Sequence, residues 1–413
     1  MIRSYHLKQR KRRINLSRVL GIDVSKRSVS VCLLEQKPDE PRQFYYKYDF
    51  KIFRADASGM KGILDLRPDV ALIEPTGTNY SKIWVAVLAK NGVDVRMVGH
   101  KELRDYRGSH LALPDKDDNA DALALACYFF DYKSPRRYLV IRDATISQVR
   151  ELVLRLHHLN RVQSPIINRI RQDLAWQFPE IALVRSPRSS KGDIPLLWGW
   201  LSGQRISKKY DSLYLESVGL GITESVRLHA ERLCHLQKEE YLIEDEITKL
   251  LKNRKFNAYR EVFKDFGFGI RTQALILSQI YPLSNFLDDD GTPIVEFHKS
   301  RNNPKKQSKH RLSERKFQKV LGLAPTEESS GDKKKKKVVG NALCRRAFWQ
   351  WVFTSVEPKK SRNSEISKKL GAIMDKEKTG GKPVRLVRSR ISVRACKMLF
   401  NQLVKKLNEY DRC

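Results

Sequence analysis

The sequence is short of cysteine, of long apolar runs and of acid. Its six cysteines (Cys32, Cys127, Cys234, Cys344, Cys396 and Cys413) are scattered, with no C-x-x-C pair. This argues against structural zinc and fits a reducing cytoplasm. No stretch approaches the roughly 18 consecutive apolar residues of a spanning helix. The basic N-terminus lacks the apolar core of a signal peptide, and no internal repeat is present. Acidic residues number 47 against 80 basic ones, a formal net charge of +33. Self-repulsion on that scale calls for an anionic partner, nucleic acid first and an acidic membrane surface second. With 413 residues, 41% of them hydrophobic, the chain can form two or three domains, each with a core.

Against this basic background, acids gather in one place. Asp115, Asp117, Asp118 and Asp121 fall within Asp115–Ala122, just before the apolar, helix-favouring run Leu123–Phe130. A helix starting near Asp117 sets Asp118 and Asp121 on one face, at the end whose dipole favours negative charge. Carboxylates that close repel unless a proton or cation sits between them, and oxygen ligands suit Mg²⁺ or Mn²⁺. Taken alone, the stretch fits a metal site and an ordinary acidic helix start equally.

Upstream, residues 1–17 form a basic arm. Val19–Lys26 reads as a buried strand carrying Asp23, and a lone buried charge needs a partner. Val29–Leu34 pairs with it as a hairpin, and Phe44–Phe53 reads as a third strand. A short helix over Ser58–Leu66 precedes the strand Val70–Pro75, which ends at Glu74. A helix over Tyr80–Asn91 and a strand over Asp94–Val98 follow. The order implies an α/β layer fold with parallel crossovers. Sites on such sheets form at strand ends, so Asp23, Glu74 and the Asp118/Asp121 pair are candidates to converge on one metal cluster.

Gly21-Ile22-Asp23-Val24-Ser25-Lys26, then Glu74-Pro75-Thr76-Gly77, then Lys116-Asp117-Asp118-Asn119-Ala120-Asp121-Ala122 resemble the motifs of the IS-one-ten DEDD insertion-sequence transposases. The family pattern is G-[IVL]-D-x-[SA]-K, E-x-T-G and K-T-D-x-x-D-A, and Asp117 stands where Thr is common. The resemblance implies a RuvC-like (RNase H-like) N-terminal domain in which Asp23, Glu74, Asp118 and Asp121 bind Mg²⁺ or Mn²⁺.

Residues 144–182 and Glu224–Leu251 read as long helices, the first containing Pro165 and the second carrying charges of alternating sign. The second fits a bundle wall or an interprotomer coiled coil, and the family implies a coiled-coil arm for oligomerisation here. Ser186–Asp193 is a linker by composition. His157-His158 and Cys234-His235 are adjacent pairs that diverge on a helix, which rules out metal binding by either. Phe266–Ala274 resembles the family turn P-G-[IV]-G-x-x-[TS]-A, with Phe266 in place of Pro. Gly267 and Gly269 there would let backbone amides approach a phosphate. Ser284–Ser313 is polar and reads as an insertion or a mobile loop facing nucleic acid.

Gly322-Leu323-Ala324-Pro325, Ser330-Gly331, the run Lys333, Lys334, Lys335, Lys336 and Lys337, and Gly340-Asn341 leading to Arg345-Arg346 resemble the family's G-L-x-P, S-G, basic stretch, G-[ND] and L-R-R. Cys344 intrudes before the arginines. On local chemistry alone a serine before glycine is a turn. The resemblance instead implies that Ser330, with Ser329 as second choice, attacks a DNA phosphate and becomes covalently joined to it. The lysines, Arg345 and Arg346 would neutralise that phosphate. The tail from Leu386 reads as a helix that closes the last domain.

The expected organisation is a basic arm and RuvC-like α/β domain over residues 1–137, a helical coiled-coil region over 138–255, and a helical C-terminal transposase domain over 256–413. The expected function is a metal-dependent DNA recombinase acting through a phosphoserine. Its partners would be donor and target DNA and a structured guide (bridge) RNA, with no membrane. It would work as a homo-oligomer, a dimer or tetramer, in a prokaryotic cytoplasm at the nucleoid. The rivals are a RuvC-like junction nuclease and a catalytically silent, domesticated nucleic-acid-binding protein.

Overall fold

The computed structural model describes residues 17–75, 79–115, 117–134, 137–139, 143–187, 192–299, 307–330 and 333–410, with backbone only at 299, 307, 325–330 and 333–338. Most of the basic arm, Thr76, Gly77, Lys116, Gly331, most of the basic loop after Lys299 and part of the linker before Gly192 lie outside the described residues. The chain divides into two compact units, Met1–Arg142 and Asp143–Cys413.

The first unit is a five-stranded sheet covered by helices. Its elements are β1 (Val19–Val24), β2 (Ser28–Leu34), α1 (Pro41–Lys47), β3 (Lys51–Arg54), α2 (Ala57–Asp65), β4 (Val70–Ile73), α3 (Tyr80–Lys90), β5 (Asp94–Met97), α4 (His100–Ser109) and α5 (Asp118–Asp131). The strand order is β3-β2-β1-β4-β5. β1, β2 and β3 form an antiparallel meander, and β4 and β5 run parallel to β1.

Strand side chains alternate between the two faces, and the core follows that alternation. Leu20, Ile22, Ala71 and Ile73 pack with Ile63, Trp84 and Leu88 under α2 and α3. Val19, Val70 and Leu72 pack with Leu123, Cys127 and Tyr128 of α5. Gly21 and Asp23 share the α5 face. A Cβ on Gly21 would lie 2.0 Å from the Ala122 carbonyl oxygen and 2.6 Å from the Ala126 nitrogen. Glycine facing two alanines therefore lets helix and strand meet at backbone distance.

Phe44–Phe53 is not one strand. Pro41 sits in the first turn of α1, where its fixed φ suits a helix. Phe44 and Tyr48 then stack with ring centroids 4.9 Å apart, and the Leu33 amide donates to the Tyr48 hydroxyl at 2.9 Å. The aromatic density that suggests a strand forms instead a flap over the α5 side of the sheet, with Tyr45 and Phe50 packed against that core.

The second unit is mainly helical. It comprises α6 (Ala144–Gln177), α7 (Leu196–Leu201), α8 (Lys208–Leu215), α9 (Glu224–Leu251), α10 (Asn257–Asp265), α11 (Ile270–Ile280), the strands β6 (Val295–Lys299) and β7 (Gln307–Arg311), α12 (Leu312–Val320), the strands β8 (Pro325–Ser330) and β9 (Lys333–Val338), α13 (Ala342–Trp351), α14 (Glu365–Thr379) and α15 (Val384–Tyr410). α6 runs unbroken through Pro165. It pairs with α9 of the same chain, where Gln148 meets Glu246 and Arg155 meets Glu239, each at 2.6 Å. One end of this pair packs into the core of α10–α15 through Val149, Leu156, Ile243 and Ile247. The other end forms a second core with α7 and α8 around Leu174, Phe178, Trp198 and Leu233. The segment expected as an insertion or mobile loop contains an antiparallel hairpin, β6 against β7, with Glu296 opposite His310.

Gly21→Ala is expected to destabilise the first unit by about 1–3 kcal/mol or more, since a methyl there strikes backbone rather than a movable side chain. Chemical denaturation of the full chain should move its sheet transition to lower denaturant. An unchanged midpoint would contradict the close approach.

Candidate active site

Three constraints bring the carboxylates together. Ile22 of β1 pairs in parallel with Ile73 of β4, so Asp23 and Glu74, each the next residue, leave adjacent strand ends level with one another. Asp23 shares the face of Gly21, beneath α5. The Gly21–Ala122 contact then sets the first turn of α5, with Asp118 and Asp121, over that edge. Asp23, Glu74 and Asp121 each offer an oxygen, all within 4.8 Å of one another. Asp118 is not one of these three, yet its negative charge acts on Asp23 more than that of Asp121 or Glu74.

The cluster resists its own charge. Asp23, only 9% exposed, is pushed up to about 7, first by burial and then by the charges of Asp118, Asp121 and Glu74. Burial also raises Asp121, although Arg107 pulls the other way. Hard oxygen donors, partly buried and mutually repelling, fit a divalent cation of the Mg²⁺ or Mn²⁺ type.

Asp117 takes a different role. Its side chain accepts from the Ala120 amide at 2.7 Å and caps α5. Thr and Asp are both good N-caps, which accounts for the exchange at this position. Ser30 of β2 donates to Asn119 Oδ1 at 2.5 Å, tying the helix start to the sheet.

Two site residues were not foreseen from sequence. Arg107 of α4 is buried and donates to Asp121 at 2.5 Å and to Asp115 at 3.1 Å. Burial opposes its charge, but these bonds outweigh it. His100 Nδ1 bonds Glu74 Oε1. In a chain this basic, neither carries a local signal. Beside the cluster lies a cavity of about 420 Å³, with Glu74 and Asp121 on its wall along with His100, Lys101, Arg104 and Arg107 of α4.

In the second unit Ser330 ends β8 and pairs with Lys333, the first residue of β9. Ser329, Glu328, Glu327 and Thr326 pair with Lys334, Lys335, Lys336 and Lys337. Ser330 is thus the last paired residue before the hairpin turn. The base of the hairpin is built tightly. Gly322 and Gly340 have φ of +70° and +102°. A Cβ on Gly340 would lie 1.8 Å from the Lys319 carbonyl oxygen, and one on Gly322 would lie 2.4 Å from that of Asn341. Asn341 accepts from the amides of Leu343 and Cys344, capping α13. Arg345 donates to the Gly322 carbonyl at 3.3 Å. Arg346 instead lines a groove with His157 of α6.

Gly267, at φ +66°, closes α10, and Gly269 opens α11. Both are exposed. Phe266 and Phe268 stack at 5.1 Å in the core, and Trp351 Nε1 donates to the Phe266 carbonyl at 3.0 Å. Phenylalanine in place of proline therefore anchors this turn.

The sequence model for DEDD transposases of the IS110 type matches residues 20–179, and that described as transposase IS116/IS110/IS902 family matches residues 306–367. The chain belongs to the IS110 family of transposases. No curated protein matches it. The first match spans the sheet and all of Asp23, Glu74, Asp118 and Asp121. The second spans the Ser330 hairpin and its base. The Gly267 turn lies outside both. As a transposase, the protein is an enzyme that acts on DNA, cutting and rejoining strands. None of its described helices is long and apolar enough to cross a membrane. Its described cysteines are buried and free.

The carboxylate cluster makes a pH-dependent prediction. Unfolded, Asp23 loses its proton near 3.8; folded, it keeps it to about 7. Between these values only the folded state holds the proton, so the contribution of Asp23 to stability falls as pH rises and levels off above the folded value. In EDTA, Asp23→Asn should therefore melt higher than the wild type at pH 8, with the gap closing toward pH 4. Adding Mn²⁺ at pH 8 should raise the wild-type melting temperature and leave the variant unmoved. A variant that melts lower than wild type in EDTA at pH 8 would show that the cluster is not under charge strain.

Proposed function

We propose that this transposase is a metal-dependent recombinase that joins itself to DNA through Ser330 and is directed by a structured RNA. The observation that carries the reading is the presence in one chain of a strained carboxylate cluster and a serine at the end of a hairpin whose base admits no extra methyl. A water-using nuclease needs the first feature and has no use for the second.

Asp23, Glu74 and Asp121 would hold the ion, with Asp118 adding negative charge beside Asp23. Bound there, a divalent ion supplies Lewis acidity to phosphoryl oxygens. Arg107 keeps one oxygen of Asp121 occupied and so orients the other. The Ser330 hydroxyl forms an O–P bond as the P–O bond to the departing deoxyribose breaks. The serine proton passes to a base, and the departing oxygen takes one up. One phosphoester replaces another, so the reverse step rejoins strands without ATP. Lys333–Lys337 would offset the charge of the incoming phosphate.

The guide RNA and a dimer or tetramer rest on the family resemblance. The net charge of +33 supports an RNA partner held through its backbone. Binding of a structured RNA should weaken steeply with salt, because counterions are released on association. Weak binding that is flat with salt would remove the RNA from the reading.

The serine is tested by trapping the reaction on an interrupted, labelled DNA substrate and running denaturing electrophoresis. Label at protein size should vanish in Ser330→Ala and persist in Ser329→Ala. Glu74→Gln and Asp118→Asn should lose the adduct while retaining nucleic-acid binding. Free ends and no adduct from Ser330→Ala, at wild-type rate, would favour the junction nuclease.

A further inference from the structure

We propose that the exposed edge of α4 seats the backbone phosphates of the DNA strand beside the carboxylate cluster, with Lys101 and Arg104 as the contacting residues. The inference rests on the metal-dependent reading above and extends it to the side of the site that receives substrate.

Glu74 and Asp121 lie on the wall of the cavity, and Lys101 and Arg104 line it with them. Acids and bases that share a cavity usually pair across it. Here the pairing is done by other residues, since Arg107 bonds Asp121 and His100 bonds Glu74. Lys101 has no ion pair among the described residues, and that of Arg104 is a 3.8 Å contact with its exposed neighbour Asp105. Contacts of that kind contribute little. Both cations therefore remain available beside the carboxylates.

The helix that carries them is held firmly. Leu103 and Tyr106 are 1% and 2% exposed, and Arg107, also buried, bonds Asp121 of the cluster. Lys101 and Arg104 are one turn apart on the exposed side, the spacing that puts two residues on one helical face.

The chemistry then selects the ligand. A phosphodiester strand must approach a group of carboxylates that repel it. A metal ion attracts the phosphate being cut, but the flanking phosphates bring their own charge and need fixed cations nearby. Lys101 and Arg104 are exposed, which suits an extended strand lying along the surface rather than an enclosed small anion.

The test compares full-length wild type with Lys101→Gln/Arg104→Gln and with the control Lys61→Gln/Lys90→Gln. The control removes the same charge from α2 and α3, on the opposite face of the sheet. The α4 variant should raise the KM for strand cleavage roughly tenfold and leave kcat within about twofold, on the scale of two partly exposed charged hydrogen bonds. Its melting temperature should still rise with Mn²⁺ as in wild type. In wild type, single-stranded DNA should slow acylation of Lys101, read by mass spectrometry. An unchanged KM, or one no higher than the control's, would overturn the proposal. So would loss of the Mn²⁺ shift, which would mark a structural role, or protection of Lys101 by RNA but not by DNA. If the wild type shows neither a Mn²⁺ shift nor cleavage, the metal reading fails and this inference fails with it.

Discussion

Gly21 lying against Ala122 and Ala126 is the contact on which the site depends. A side chain on β1 at that point would hold α5 away from the sheet, and the two carboxylates of its first turn would move with it. At backbone distance, the helix start lies over the strand ends and Asp121 comes within one ion's reach of Asp23 and Glu74. Smallness at one strand position and two helix positions thus sets a spacing among oxygen atoms in another layer of the fold. The Asp117 cap and the bond from Ser30 to Asn119 fix where the helix begins.

A cluster of buried negative charge costs stability wherever it occurs. In a chain of net charge +33, nothing general about the composition requires it. Within the fold Arg107 bonds Asp121 and His100 bonds Glu74, while Asp23 holds its proton unusually long. Hard oxygen donors set against one another in this way fit a divalent cation.

In the second unit Ser330, the last residue of β8, pairs with Lys333, the first of β9. Glu327 and Glu328 of β8 stand in register with Lys336 and Lys335 of β9. The two positive-φ glycines, the Asn341 cap and Arg345 make the base a fixed platform on α13. The paired arginines separate there, Arg345 supporting the hairpin base and Arg346 facing the α6 groove.

By itself the sequence determined the family, because G-x-D, E-P-T-G and D-x-x-D-A are local patterns readable in order. It also determined the sheet-then-helix architecture, since apolar alternation and helical periodicity are properties of short windows. The division of roles among neighbours depended on tertiary structure. Asp117 caps while Asp121 joins the cluster, and that follows from which residue the helix start turns toward the sheet. Arg107 and His100 were illegible because a basic residue in a basic chain carries no mark until the fold sets it beside a carboxylate. The aromatic stretch after Pro41 resembled a strand because bulky rings favour strands locally; ring stacking and the Leu33–Tyr48 bond drew it into a helix. The Ser330 loop became a hairpin because its pairing strand, though adjacent in sequence, is held in register by glycines and a cap whose geometry exists only in three dimensions.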